Sequence, residues 1–327
     1  MISWLLKLIG HIPLFIQYLI IPIVLIIWII RNSSSKMSWL LKVAITGFYL
    51  LIVRYSASFH ISIGYYTFFI ILAFYFIGVF LSLKRTKQLT FIKKDIKNII
   101  LYSFSSLLLS FLIFLSISII RAYSYETEPI NLAFPFKNGK YIVNEGGDGK
   151  RSFLVNSHYN DSANNKFNFS GSMQYAVDIR KINNLGFDSN KLEIRKGIIM
   201  PEELSAYHIF DEILYSPCDG IVTYAIDRYN DELPDDKKRF NNFGNGIVIK
   251  QEDVFIVLWH TKKDSHLVSI GDYVKAGQPI AKIGNSGHSS TPHLHIYASK
   301  GDWLKGEGVP IVFNHKNPVK NRIFNIP

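Results

Sequence analysis

Three of the ten histidines of this 327-residue chain fall within "GNSGHSSTPHLHIYAS", Gly284 to Ser299, and two of them, His293 and His295, stand one residue apart. In a strand, side chains i and i+2 share a face. A strand over "HLHIYA" therefore projects both imidazoles side by side and turns Leu294 and Ile296 toward a core. A lone strand histidine is most often structural, whereas two on one face can bind a metal or move protons. His260 closes the apolar run "VFIVLWH", where a strand leaves its core. Asp178 lies inside "YAVDI", and a carboxylate within an apolar strand needs an opposite charge, hydrogen bonds or a metal ion. A zinc ion with His and Asp ligands would supply that partner, because catalytic zinc takes three protein ligands and keeps a fourth position for water.

The elements that must hold these residues are short. "YIVN", "SFLVN", "YAVDI", "GIVTYAI", "NGIVIK", "VFIVLWH", "PIAKIG" and "HLHIYAS" alternate with Gly, Asn and Asp turns, which predicts an all-β sandwich or barrel-like sheet. Two stretches break that rhythm. "IMPEELSAYHIFDEIL" predicts a helical turn or two, and "YNDELPDDKKRFNN" predicts a charged, solvated loop. Asn285, Ser286 and Ser289 to Thr291 border the paired histidines, with Gly284 and Gly287 permitting a tight path. The stretch between Asp178 and the next strand is a candidate lid.

The first 120 residues have a different texture. Ile12–Ile30, Trp39–Val53, Ile61–Leu83 and Asn98–Ile120 are four candidate spans, against the roughly 20 apolar residues a crossing needs. The second is the weakest, being short and containing Lys42, which is expected to snorkel toward the headgroups. This region holds eleven Lys and Arg and one acid, Asp95, so it carries nearly all of the net charge of +11. That placement argues against nucleic acid as a partner and for the lipid bilayer. "KRTKQLTFIKKDIK" is the cytoplasmic loop by the positive-inside rule, which leaves the C-terminal domain extracytoplasmic. A cleavable signal peptide is not expected, since further spans follow. No acid lies within any of these runs and Lys42 is their only charge, so an ion pathway has little support. The expected organisation is a multi-pass membrane region over 1–121, a linker over 122–130 and a mainly-β domain over 131–320. Cys218 is the single cysteine, which rules out an intramolecular disulfide and reads as a packed residue, not a nucleophile.

"YSPCDGIVTYA", "NGIVIKQEDVFIVLWH" and "VSIGDYVKAGQPIAKIGNSGHSSTPHLHIYA" resemble the M23 peptidase family of lysostaphin-type zinc endopeptidases. The likeness runs from about Phe134 to Val312. It implies an antiparallel β-sheet or sandwich of the duplicated-hybrid-motif type and one Zn2+ per chain. It also implies hydrolysis of a peptide bond in a stem peptide or cross-bridge of peptidoglycan, on the outer face where the wall lies. By the same resemblance His295 and Asp178 bind the metal, while His260 and His293 are catalytic.

The family commonly shows H-x-x-x-D, but Gln174 stands four residues before Asp178. A variant of the family has N-x-H-Y upstream of Q-x-Y-A-x-D. Asn156, His158, Gln174, Tyr175 and Asp178 match it, which implies His158 as the third ligand. No glutamate is placed as a general base, so His260 and His293 are the candidates for moving protons, their division of labour left open. His208, His266, His288 and His315 read as surface or loop residues. Two other readings stand beside this one. A catalytically inert M23-like module would bind cell wall or regulate a partner hydrolase. A lipoyl- or biotinyl-type carrier would suit "GDYVKAGQPIAKIG" but leaves H-L-H without a purpose.

Overall fold

The computed structural model describes residues 13–159, 171–195, 197–234 and 243–327. The start of the first expected span and much of the charged loop lie outside the described residues. The chain divides into two compact units, Met1–Ile119 with Lys196–Ile198, and Ile120–Arg195 with Ile199–Pro327.

The first unit is helical. Helix α1 (Ile21–Ile30) continues a π-helical turn at Ile16–Ile20, and α2 (Lys36–Ser56), α3 (Thr67–Thr86) and α4 (Ile96–Arg121) follow. Three of these, α2 to α4, are long and apolar enough to cross a membrane, while Ile16–Ile30 is shorter. The expectation of about four spans is therefore corrected to three among the described residues. The apolar run that read as the first span includes residues before the helix and falls short as a helix. The Trp39–Val53 run, which read as the weakest, extends instead to 21 residues. Ser35 makes that extension possible, because its side chain accepts the Ser38 N–H and the Ser38 hydroxyl faces the Ser35 N–H in return. Lys42 is buried, and its Nζ donates to the carbonyls of Arg31 and Asn32 just past the end of α1. Those are free C-terminal acceptors that a cation satisfies well. Along α3 and α4, Phe74, Phe76, Phe80, Phe104 and Leu107 are each more than half exposed, the outward apolar surface that lipid, and not water, favours.

The second unit is built on one nine-stranded antiparallel sheet. Its strands are β1 (Gly139–Glu145), β2 (Val177–Ile182), β3 (Gly220–Ile226), β4 (Gly246–Gln251), β5 (Val254–Trp259), β6 (Tyr273–Val274), β7 (Leu294–Lys300), β8 (Glu307–Val309) and β9 (Ile323–Ile326). The order is β6-β3-β4-β5-β7-β2-β1-β9, with β8 also paired to β7. Strand alternation sorts the side chains onto two faces. Ile179, Ile247, Ile249, Ile256, Leu258, Leu294 and Ile296 enter the main core, where Phe134, Phe136 and Phe313 also pack. Ala176, Val248, Val257, Trp259 and Tyr297, each one residue out of step, form a smaller aromatic cluster on the other face. Gly246 is required there. A Cβ on it would stand 2.2 Å from Cε3 of the Trp259 ring, and Gly246 and Trp259 are cross-strand partners.

One local expectation differs from the structure. "SFLVN" is a turn and not a strand, closed by Arg151 N–H to Asp148 O and by Val155 N–H to Ser152 O. "IMPEELSAYHIFDEIL" holds a 3-10 turn, Leu204–Ala206, in keeping with the helical turn or two expected there.

Candidate metal and catalytic site

His295 is paired with Asp178 across the β7–β2 ladder and with Trp259 across the β7–β5 ladder. Its imidazole and the Asp178 carboxylate therefore meet on one face, with His295 Nδ1 2.9 Å from Asp178 Oδ1. His293 lies just before β7, its Nε2 3.5 Å from the same carboxylate oxygen. A bulge between Val143 and Glu145 displaces β1 where Glu145 meets Asp178, and the Glu145 carboxylate accepts the Ser157 N–H and the Lys320 ammonium. That anchor delivers His158, whose Nε2 lies 3.4 Å from Asp178 Oδ1.

His158, Asp178 and His295 each present one ligand atom, and these atoms lie within 4.8 Å of one another. The orientation of His158 is set from outside the cluster. Asn156, fully buried, donates through Nδ2 to the carbonyls of Gly147 and Ala176 and accepts from His158 Nδ1 at 2.8 Å. With the proton fixed on Nδ1, the Nε2 lone pair faces the carboxylate. Gln174, at the position of the usual family histidine, instead donates to Asp148 Oδ1.

His260 reaches the same cluster from the end of β5, its ring centroid 4.8 Å from that of His293 and 5.9 Å from that of His295. Its backbone is left-handed, φ 69°, a conformation that costs a β-carbon-bearing residue about 1–3 kcal/mol. The neighbours enforce it. His260 N–H donates to the Asn245 carbonyl, and its own carbonyl accepts the Gly284 N–H. The Asn245 side chain bridges Tyr229 and Thr261, and Ser286 Oγ accepts the Asn245 N–H while donating to the Thr261 carbonyl. Gly287 lets these loops touch, for a Cβ on it would lie 2.2 Å from the Gly244 nitrogen. Asn245 stands between Gly244 and Gly246, and nothing in the neighbouring sequence marks it.

Both rings carry a fixed proton on the outer side. His260 Nδ1 donates to the Ser286 carbonyl and His293 Nδ1 to the Thr291 carbonyl, each at 2.8 Å. Burial pushes the His260 pKa well below its usual value and that of His293 down to about 4. Burial also lowers His295. These are neutral imidazoles at neutral pH, the form that coordinates metals and accepts protons. Burial alone would raise the Asp178 carboxyl, but the His158 and His293 rings beside it hold it well below the carboxylate range.

All five residues singled out in the sequence thus meet in one place. The four histidines read as surface or loop residues lie elsewhere. His288 and His315 are exposed, His208 is half-buried, and His266 bonds to Thr261 Oγ1 in a loop. Cys218 is a packed core residue.

The family model "Peptidase family M23" matches residues 210–310, which include His260, His293 and His295. Lysostaphin from Staphylococcus simulans is 40% identical over 59 residues, 17% of this chain, and the match spans only 12% of that relative. A zinc containing peptidase from Vibrio cholerae is 24% identical over 34% of this chain and 27% of its own, with a TM-score of 0.23. The structure of lysostaphin from S. simulans is 26% identical over 28% of this chain and 34% of its own, with a TM-score of 0.23. His158 and Asp178 lie outside the matched range, and the cluster they complete is a feature of the structure. Over residues 210–310 the chain is similar to peptidase family M23, and three helices long and apolar enough for a membrane region precede that stretch.

Proposed function

We propose that this chain is a membrane-anchored zinc metalloendopeptidase that hydrolyses peptide bonds of peptidoglycan. The observation that carries the reading is the convergence of His158, Asp178 and His295 on one point, with His260 and His293 beside it. Two imidazole nitrogens and one carboxylate oxygen form a donor set that suits zinc better than magnesium or calcium, which take all-oxygen cages. Zinc held there would act as a Lewis acid on the scissile carbonyl and make water a competent nucleophile near neutral pH.

The chain's own residues do the rest. His260 and His293 hold their Nδ1 protons on backbone carbonyls, so each keeps a basic Nε2 on the cluster side. One takes a proton from the attacking water on its Nε2 and, as the imidazolium so formed, can steady the developing oxyanion and then pass that proton to the leaving amine. Because both rings are held by backbone carbonyls, they need no rearrangement between these tasks. The three long apolar helices would anchor the domain, and the basic Lys84–Lys97 loop supports a position on the outer face, where the wall lies.

The test is metal content and cleavage together. The purified chain should hold about one zinc and release new amino termini from peptidoglycan. His158→Ala should lose the metal, and His293→Ala should keep the metal and lose the cleavage. A chain that takes up no zinc when it is supplied would sink the reading.

A further inference from the structure

The cations of the helical unit have almost no acid to meet. Asp95 is the one acidic residue among the first 120, against eleven Lys and Arg. Its carboxylate is taken by the backbone N–H and the side-chain amide of Asn98. Three of the cations gather where α1 ends. Lys42, buried, donates to the carbonyls of Arg31 and Asn32. Arg85, near the end of α3, donates through Nη1 to the Ile30 carbonyl at 3.1 Å. Arg31 is itself the C-cap of α1. A helix C-terminus carries roughly half a negative charge, so three cations around it leave a clear positive excess. Burying charge without a counter-ion is costly, and this part of the chain has none to give.

Beside these cations lies a cavity of about 210 Å³, whose lining includes Arg31, Asn32, Trp39, Ser82, Arg85 and Thr86. Part of its wall is fixed, since Trp39 Nε1 donates to Ser82 Oγ at 2.9 Å and Thr86 Oγ1 to the Leu83 carbonyl. Arg31, Asn32 and Arg85 are exposed, so a ligand can reach them. Arg85 is already oriented by its bond to Ile30 and keeps its other N–H groups for a ligand. Arginine forks suit the oxygens of a phosphate group. The surroundings say which phosphate. Leu81 and Leu83, on the last turns of α3, are 49% and 44% exposed, and Ile29 and Ile30 line the cavity itself. Apolar surface beside a basic cavity suits a phosphate that carries acyl chains better than a free ion. The six basic residues of Lys84–Lys97 add attraction to an anionic leaflet.

We propose that this cavity binds the phosphate of an anionic lipid headgroup, with Arg31 and Arg85 as the phosphate-binding residues and Asn32 as a further donor. The lipid supplies the counter-ion that the helical unit lacks. Held by both arginines, it would tie the end of α1 to the end of α3. The inference needs the helices to lie in a bilayer and is independent of the peptidase reading.

The experiment uses the full chain in a nonionic detergent. It is supplied with phosphatidylglycerol, with phosphatidylcholine of the same acyl chains, or with inorganic phosphate, and retained lipid is counted by native mass spectrometry. The wild type should bind phosphatidylglycerol about ten-fold or more tightly than phosphatidylcholine. Arg31→Gln should weaken that preference, and Arg31→Gln with Arg85→Gln should bring the ratio to about one. Lys93→Gln with Lys94→Gln removes the same charge from the loop outside the cavity and should leave the preference largely intact. Helix content of each variant is measured alongside. Should the double arginine variant lose its helical signal, Arg31→Gln alone decides, because that residue lies past the end of α1. Equal retention of both lipids by the wild type, or an undiminished preference in the arginine variants, overturns the inference. So does an equal loss in the lysine variant, which would reduce the effect to loop charge. Displacement of the lipid by inorganic phosphate would also overturn it, by assigning the cavity to the free ion.

Discussion

Asn156 Oδ1 accepts the Nδ1 proton of His158 at 2.8 Å, while its amide nitrogen is anchored on the carbonyls of Gly147 and Ala176. A metal ligand is only as well placed as the group that fixes its tautomer. Asn156→Ala should therefore weaken zinc binding by about 10–100-fold. Asn156→Asp keeps the acceptor and should lose less. Competition against a chelator of known affinity reads both, and equal affinities for all three proteins would show that His158 is oriented by something else.

A second consequence concerns Asn245, whose side chain holds Tyr229 and Thr261 while its carbonyl accepts the His260 N–H. Asn245→Ala leaves buried backbone groups of Tyr229 and Thr261 without partners, each costing about 1–3 kcal/mol. The β domain of the detergent-solubilised chain should unfold at a clearly lower temperature, and activity should fall with it as the bridge from Tyr229 to Thr261, beside His260, is lost. An unchanged unfolding temperature would mean that the loops carry their own conformation.

Cys218 gives a prediction tied to protonation. Burial, aided by the Asp219 charge, pushes its thiol up to about 12, and only the thiolate reacts. The folded chain should be inert to a thiol-specific disulfide reagent at pH 8 and should react fully once denatured. Rapid labelling of the native protein would contradict the burial.

Topology can be checked by fusion. A reporter active only outside the cytoplasm, joined after Ser124, should be active. Joined after Thr90, in the basic loop, it should be silent. The reverse pattern would put the peptidase domain on the wrong side for peptidoglycan.

How much of this was legible in the sequence depended on range. Strand alternation in "HLHIYA" is local, so the shared face of His293 and His295 could be read directly, and Asp178 stood out as an acid inside the apolar strand "YAVDI". The helical half was misjudged where the decisive contacts are distant. Lys42 counted against a span because its acceptors, the Arg31 and Asn32 carbonyls, belong to the end of the preceding helix. The cap at Ser35 was written in "SSSK" but has force only once the chain reverses there. "SFLVN" has the composition of a strand, yet backbone bonds back to Asp148 and Ser152 curl it into a turn. His158 stood out only through likeness to a family pattern, because its anchors Asn156 and Glu145 act through contacts that spacing does not reveal. Asn245 left no trace short of the structure.

The odd and even positions of β7 have separate tasks. Leu294, Ile296 and Ala298 fill the main core, while His295 and Tyr297 belong to the opposite face. The site is in this sense written in a reading frame of two residues. Loss or gain of a single residue within the strand would not weaken the cluster gradually. It would exchange histidine for leucine at every position at once, burying imidazoles in the hydrophobic interior and exposing aliphatic side chains where the peptide should lie. Substitutions along β7 can be graded in effect, but a one-residue indel there must abolish core and chemistry together.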